Sequence, residues 1–162
     1  GNGLLTLAFE LLSKKYDSKI CHEISKVSGA YGLAGGQSID ISLESKKLSL
    51  NKVLHIHELK TAKLFEFCIS APYIALGDKV NVNSARAYGN LLGRCFQIVD
   101  DIIDHDQDED NKNILNYMSK EEAILLCNDY KNKADKFLNK LFPIKSNKLS
   151  DIFSYIIKQA TK

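Results

Sequence analysis

Apolar residues recur every three or four positions along most of the chain, and no stretch alternates apolar and polar residues as a half-buried strand does. The spacing i, i+3, i+4, i+7 is clearest ahead of Asp104, at Tyr88, Leu91, Leu92, Cys95, Phe96, Val99, Ile102 and Ile103. We predict helices over residues 3–15, 18–34, 49–77, 83–105, 119–140 and 148–160. The predicted fold class is all-α, with residues 1–162 forming one unit without an internal domain boundary.

Several residues are expected to shape or end these helices. Pro72 lies inside the third predicted helix and should kink it or end it early. A glycine in a helix costs up to about 1 kcal/mol relative to alanine, so Gly35-Gly36 indicates a helix end or a close backbone approach. Capping residues are predicted at the starts of three helices: Ser49 or Asn51 for the third, Asn83 or Ser84 for the fourth, and Ser119 with Glu122 for the fifth. Gly77-Asp78 should end the third helix, and Pro143 should end the fifth.

The end of the fourth predicted helix carries an acidic run, with seven acidic side chains between Asp100 and Asp110. At about 100° per residue, Gln97, Asp100, Asp101 and Asp104 share a face roughly 100° wide. The helix macrodipole is negative at this end, so a bound cation is favoured there. All-oxygen ligands favour Mg²⁺ or Ca²⁺, and Mg²⁺ usually takes one or two carboxylates together with water and substrate phosphates. The pattern therefore predicts a metal site, with a solvated acidic face as the alternative.

An EF-hand calcium loop is a second alternative, because acidic residues occupy every other position from Asp104 to Asp110. The sixth loop position would be Glu109, where the EF-hand needs a glycine for its sharp turn. The twelfth would be Leu115, where a bidentate glutamate is needed. These two positions disfavour an EF-hand.

The segment Phe96–Asp104 (FQIVDDIID) resembles the second aspartate-rich motif of the trans-type polyprenyl diphosphate synthases, the farnesyl and geranylgeranyl diphosphate synthase family. Three further segments resemble family blocks in family order and at about family spacing: GNGLLTLAFELL at 1–12, GLAGGQSIDI at 32–41 and HELKTAKL at 57–64. The resemblance implies an isoprenoid-synthase-type helical bundle, of which this chain is the C-terminal portion. The family's first aspartate-rich motif and its paired arginines precede the first of these blocks, and neither occurs here.

The resemblance also implies roles for individual residues and a cofactor, Mg²⁺. The implied metal ligands are Asp100, Asp101 and Asp104, with Asp101 either binding or orienting. The implied catalytic residues are Lys60, Thr61 and Asp100. Substrate contacts are implied for Lys60, Thr61, Gln97, Gln37, Asp40 and Lys112.

The residue pattern alone leaves two alternatives for Lys60 and two for Lys112. Lys60 shares a helical side with apolar residues, so it either snorkels from the rim of that stripe or is a buried ammonium without a counter-anion in the empty site. Lys112 is either a solvated neighbour of the acidic run or, by resemblance, a contact to the substrate diphosphate. Only seven residues separate Asp104 from Lys112. This loop is shorter than is usual in the family, which predicts either weaker diphosphate capture or a different arrangement of it.

The reaction implied by resemblance condenses an allylic diphosphate with isopentenyl diphosphate and releases diphosphate. Because one aspartate cluster cannot bind a diphosphate from both sides, we expect the isolated chain to be inactive. We expect it to form a homodimer or to associate with an N-terminal half, through an apolar surface along Leu64, Leu91, Cys95 and Phe96. The alternatives are a non-catalytic subunit of a heteromeric prenyltransferase, a helical interaction module from a decayed gene, and a terpene cyclase.

Composition adds only general limits. The 162 residues are 44% hydrophobic and 26% charged with a net charge of +2, which is ordinary for a globular domain. Lysine and arginine are scattered, which gives no support for nucleic-acid binding, and no apolar run is long enough to span a membrane. The four cysteines are interpreted as reduced thiols, mostly in the core, and the four histidines as surface or core-edge residues. The only methionine is Met118, so we expect residues before Gly1; the expected location is cytoplasmic, with any N-terminal targeting segment unobservable.

Overall fold

The computed structural model describes residues 2–43, 48–105, 112–142 and 148–161. Within these ranges all regular structure is helical. Eight α-helices follow in order: α1 Asn2–Lys15, α2 Ser18–Ser28, α3 Leu33–Ser42, α4 Leu50–His57, α5 Lys63–Ala75, α6 Val82–Asp104, α7 Lys120–Leu141 and α8 Lys148–Gln159. A π-helical turn, Glu58–Ala62, joins α4 to α5, and a 3₁₀ turn, Ile114–Asn116, precedes α7. The predicted all-α class is confirmed.

Helix α6 lies at the centre of the bundle and packs against both α5 and α7 along its length. Its apolar side faces α7 and α8. Tyr88 makes an edge-on contact with the ring of Phe153, at 6.1 Å between centroids, and donates its hydroxyl to the carbonyl of Leu149 at 2.7 Å. The buried side chains of this main core are Tyr88, Leu92, Cys95, Ile98, Val99, Ile102, Ile114, Ala123, Cys127, Tyr130, Ala134, Leu138, Phe153, Ile157 and Ala160.

A smaller apolar cluster joins α2 to α5 and is built on Ile20, Ile24, Phe67 and Ile74. Helix α1 lies against α2 and leaves leucines on its outer side, where Leu4 is 75% exposed. The apolar surface predicted along α5 and α6 is only partly present: Phe96 is 39% exposed, whereas Cys95 is fully buried against α7. The prediction for Cys95 was wrong because its position on α6 faces the partner helix and not the open side.

Two predicted helices are divided in the structure. The second was predicted to run to residue 34, but α2 stops at Ser28 and a new helix starts at Leu33. Gly35-Gly36 therefore lies inside α3, and the alternative that this pair ends a helix is wrong. The third predicted helix changes to π-helical geometry at Glu58–Ala62 and continues as α5 to Ala75, past Pro72.

Most of the predicted helix ends are observed. Ser49 accepts a hydrogen bond from the amide of Lys52, and Ser119 with Glu122 forms the capping box. Gly77, two residues after the end of α5, adopts a φ of 68°, a conformation that favours glycine. The predicted cap of α6 was wrong, since α6 begins at Val82. Pro143 lies outside the described residues. No helix in the described part of the chain is long and apolar enough to cross a membrane.

Candidate active site

The π turn Glu58–Ala62 presents Lys60 and Thr61 between α3 and α6. Turns of this kind are rare and frequently occur at functional sites. Two glycines let neighbouring helices approach its backbone. A Cβ on Gly36 would lie 2.7 Å from the backbone nitrogen of Lys60, and a Cβ on Gly93 would lie 2.6 Å from a backbone Cα of the turn. Larger residues at either position would displace the turn, so these glycines help to set where Lys60 and Thr61 stand.

Asp40 on α3 binds two lysines from distant parts of the chain. Lys60 Nζ lies 2.6 Å from Asp40 Oδ2, and Lys112 Nζ lies 3.0 Å from Asp40 Oδ1. Lys112 also donates to the backbone carbonyl of Asp40 at 3.0 Å. Burial by itself would raise the pKa of Asp40, but hydrogen bonds and charges from Lys60 and Lys112 outweigh it and lower the pKa. Asp40 therefore stays ionised and joins α3 to the π turn and to the segment after α6.

These contacts correct two interpretations made from the residue pattern. Lys60 has a counter-anion in Asp40, so it is not an ammonium without a partner. Lys112 is only 7% exposed, so it is not a solvated neighbour of the acidic run. Both errors arise because Asp40 is distant in sequence and contacts the lysines only through the packing of α3.

Gln97 links the π turn to the acidic end of α6. Its Oε1 accepts a hydrogen bond from Thr61 Oγ1 at 2.7 Å. Its amide nitrogen donates to Asp101 Oδ1 at 3.2 Å and points to Asp100 Oδ2 at 3.5 Å. Because Gln97 Oε1 accepts the hydrogen bond from Thr61, only the NH₂ group of the Gln97 side chain can face the carboxylates. Thr61 thereby sets the orientation of Gln97.

Among the three aspartates Asp100, Asp101 and Asp104 of α6, Asp100 is the most exposed. Desolvation raises its pKa, and the carboxylates of Asp104 and Asp101 raise it further, against the opposing effect of Gln97 and Lys60. A raised carboxyl pKa means that negative charge at this position is unfavourable in the protein alone. A bound cation would relieve this repulsion.

Asp101 is held by contacts within the protein. Its Oδ2 accepts from the amide of Ile114 at 2.8 Å, and its backbone carbonyl accepts from Asn113 Nδ2 at 2.7 Å. His57 Nε2 lies 3.4 Å from the same Oδ2. These contacts attach the segment before α7 to the end of α6. They favour an orienting role for Asp101 over a role as a direct metal ligand.

These groups surround a cavity of about 230 Å³. Its lining is almost entirely polar, with four carboxylates and two lysines: Asp40, Ile56, His57, Lys60, Gln97, Asp100, Asp101, Asp104, Lys112 and Asn113. Within the described ranges, no three His, Cys, Asp or Glu side chains are arranged so that they alone could hold a metal ion. A separate groove of about 720 Å³ lies over α5, α6 and α7 and contains none of the predicted site residues.

A comparison with protein families identifies the chain. The profile described as "Polyprenyl synthetase" matches residues 1–159. The chain belongs to this family. It is 33% identical over 119 residues to a farnesyl diphosphate synthase of Bacillus subtilis, in an alignment that covers 68% of this chain and 40% of that protein. With a farnesyl diphosphate synthase of Micrococcus luteus it shares 30% identity in an alignment of 182 positions, which covers 98% of this chain and 61% of that protein. The chain thus spans less than two thirds of these relatives.

Solved structures of the polyprenyl synthetase type have the same fold. The geranyltransferase of Helicobacter pylori superposes with a TM-score of 0.79 at 28% identity, over 99% of this chain and 58% of that one. A structure of that geranyltransferase complexed with magnesium and isoprenyl diphosphate gives a TM-score of 0.74, with the same identity and coverage. The all-helical fold therefore matches isoprenoid synthase structures over a little more than half their length.

The fold brings most of the residues singled out by family resemblance into one place. Seven of them line the cavity, namely Asp40, Lys60, Gln97, Asp100, Asp101, Asp104 and Lys112. Thr61 contacts the cavity through its hydrogen bond to Gln97. Gln37 is exposed on α3 and does not line the cavity, so its substrate contact stays a prediction. The metal and substrate roles of the other residues also stay predictions at this point.

Two polar residues of the cavity were missed from the sequence, His57 and Asn113. His57 is 4% exposed, so its interpretation as a surface or core-edge residue was wrong. A signal was present, since His57 precedes Lys60 by three residues and so falls near it on a helix. Asn113 caps the 3₁₀ turn through its side-chain oxygen and contacts Asp101 through its nitrogen. Its contact with Asp101 joins residues 12 apart in sequence, which no local pattern predicts.

Proposed function

We propose that this chain is the C-terminal, diphosphate-binding part of a prenyltransferase of isoprenoid biosynthesis. The complete enzyme would condense an allylic diphosphate with isopentenyl diphosphate and release diphosphate. The observation that carries the proposal is the convergence of Lys60, Thr61 and Gln97 with Asp100 and Asp104 on one polar cavity. Membership of the polyprenyl synthetase family and the names of the relatives support it.

The donor set fits Mg²⁺. Asp100 and Asp104 are oxygen ligands on neighbouring turns of α6, and their mutual repulsion raises the pKa of Asp100. We expect these two carboxylates to hold the ion, with Asp101 orienting Gln97 and the segment at Ile114. One or two protein carboxylates are what Mg²⁺ commonly takes when phosphate oxygens and water fill its other positions. When bound, the metal would neutralise negative charge that develops on the departing diphosphate.

The chain's own groups would act at the diphosphate end of the allylic substrate. The allylic C–O bond breaks and its electron pair leaves with the diphosphate. The double bond of isopentenyl diphosphate then forms the new C–C bond with the allylic cation, and loss of a proton completes a product five carbons longer. Lys60 would stabilise the leaving diphosphate, and Lys112 would do the same if it shifts from Asp40. Thr61 would fix the donor side of Gln97 towards the same end.

The test uses a chain extended to the length of the relatives, because this chain covers only 58% of the Helicobacter enzyme. In that protein Asp100→Ala should lower kcat by about three orders of magnitude or more while leaving the helical circular dichroism unchanged, because the lost interaction develops with charge in the transition state. The exposed Asp151 on α8 provides the control, and Asp151→Ala should leave kcat unchanged. A normal kcat in Asp100→Ala would remove this residue from the mechanism.

The isolated chain is expected to give no elongated product from isopentenyl and dimethylallyl diphosphates with Mg²⁺, as detected by mass spectrometry. Its cavity has one aspartate cluster, and we propose that the other side of the diphosphate is bound by the portion that the relatives have in addition. The exposed leucines of α1 support association with that portion or with a second copy. Robust elongation by the isolated chain would overturn the requirement for two clusters.

A further inference from the structure

A closed ring of polar side chains surrounds the other face of the π turn, and none of its members lines the cavity. Arg94 donates to Glu58 Oε2 at 2.6 Å and to Asn90 Oδ1 at 2.9 Å. Asn90 donates to Glu66 Oε2 at 3.3 Å, and Lys63 donates to the same oxygen at 3.1 Å. Lys63 lies 3.8 Å from Glu58 Oε1 and closes the ring.

The ring includes a residue at each end of the π turn. Glu58 is the first residue of the turn, and Lys63 follows its last residue directly. Arg94 and Asn90 belong to α6, so both ends are tied to the helix that carries the acidic site residues. The ring side chains are only partly exposed, with Arg94 at 25% and Glu58 at 24%. Charged hydrogen bonds in such surroundings are stronger than fully solvated ones.

Arginine is suited to this position. Its planar guanidinium offers several donors in fixed directions, so one side chain can bind the carboxylate of Glu58 and the amide oxygen of Asn90 together. A lysine ammonium lacks this planar geometry. On the cavity side, by contrast, the turn is held by Lys60 and Thr61, whose contacts would change when a diphosphate binds.

We infer that the ring of Glu58, Lys63, Glu66, Asn90 and Arg94 clamps the π turn from outside the cavity and that Arg94 is a positioning residue for Lys60 and Thr61. The clamp lets Lys60 exchange Asp40 for a ligand without loss of the turn's geometry. Its catalytic consequence rests on the proposed function, whereas the clamp itself is a property of the described fold.

Amide hydrogen exchange, followed by NMR on the ¹⁵N-labelled chain, tests the clamp. Arg94→Gln should speed exchange at residues 60–62 roughly tenfold or more beyond any change in α7, the scale expected for losing a charged hydrogen bond. Glu58→Gln should have the same effect, and the double variant should add little to either single change. Arg86→Gln is the matched control, since Arg86 also lies on α6 and pairs with Glu23 on α2 at 2.7 Å, outside the ring.

The clamp would be overturned if Arg94→Gln speeded amide exchange in α7 as much as in the π turn. It would also be overturned if Arg86→Gln speeded exchange in the π turn as much as Arg94→Gln does. Calorimetry with inorganic diphosphate and Mg²⁺, on the chain extended to the length of its relatives, separates the two proposals. We expect Arg94→Gln to weaken this binding several-fold and Arg86→Gln to leave it unchanged. Failure of the extended wild-type chain to bind would overturn the proposed function, whereas unchanged exchange in Arg94→Gln would overturn the clamp.

Discussion

Asp40 offers the sharpest test of how the cavity is held together, because one buried carboxylate serves two lysines. The change Asp40→Asn keeps the size of the side chain and removes its charge. Lys112, whose side chain is 8% exposed, would then lose its ion pair with this carboxylate. Lys60 would lose its partner too, but its side chain is 36% exposed and can be hydrated. The cost should therefore come mainly from Lys112.

Removing one partner of a buried ion pair costs about 3–5 kcal/mol. The lower end applies here, at about 3 kcal/mol, because Lys112 keeps its bond to the backbone carbonyl of residue 40. The exposed fraction of Lys60 places its pair near the range for surface ion pairs, below about 1 kcal/mol. Lys60→Met should consequently cost far less than Asp40→Asn, because Asp40 would still have Lys112.

Urea unfolding at pH 7, followed by circular dichroism, measures both variants. Glu10→Gln is the control, because Glu10 pairs with Lys14 on the surface of α1 and its loss should cost less than about 1 kcal/mol. If Asp40→Asn were no more destabilising than Glu10→Gln, the ion-paired cavity described here would be wrong. A large loss in Lys60→Met would show that Lys112 does not compensate.

The pH dependence follows from the lowered pKa of Asp40. Its ordinary value is 3.8, so the unfolded chain takes up a proton at a higher pH than the folded protein does. The stabilising contribution is fully present above the unfolded value and is lost as the pH falls through the folded pKa. The stability difference between wild type and Asp40→Asn should therefore shrink below about pH 4. A difference that grows on acidification would contradict this assignment.

Two further predictions concern the acidic end of α6 and the glycines beside the π turn. In a ¹³C NMR titration, Asp100 should titrate above its ordinary pKa of 3.8, and Asp104→Asn should lower that pKa by removing a neighbouring negative charge; an unchanged pKa would show that Asp104 has no influence. Gly36→Ala and Gly93→Ala should each destabilise the fold by about 1–3 kcal/mol through overpacking. Gly3→Ala, which meets no atom within 4 Å, should not destabilise it in the same thermal melts.

The helices of this fold are largely readable from the sequence because each buries one regular apolar side. Helix α6 was predicted to within one residue at both ends, since its buried positions repeat without interruption from Ala85 to Ile102. The π turn was not predicted. Its sequence remains compatible with a continuous helix, and the change in geometry accompanies the close approach of Gly36 and Gly93 from other helices.

In the candidate site, too, contacts within one helix could be predicted from the sequence, whereas contacts between residues distant in sequence could not. The shared face of Gln97, Asp100 and Asp104 follows from helical spacing alone. The ion pairs of Asp40 do not, because Lys60 is 20 residues away and Lys112 is 72 residues away in sequence. Family resemblance selected these residues as substrate contacts but did not reveal that they bind one another. The packing of α3 against the π turn, together with the position of Lys112, decides that arrangement.

The pairing of both cavity lysines with Asp40 has an electrostatic consequence for the proposed chemistry. Among the described residues, no ion pair neutralises Asp100 or Asp104, and the negative end of the α6 dipole adds to their repulsion. A metal ion would supply positive charge on this side of the cavity. A diphosphate arriving with it would offer Lys60 a second anion while the ring around Arg94 keeps the π turn in place. Under the proposed function, metal and diphosphate should therefore bind here cooperatively, since each would relieve a charge imbalance that the other leaves.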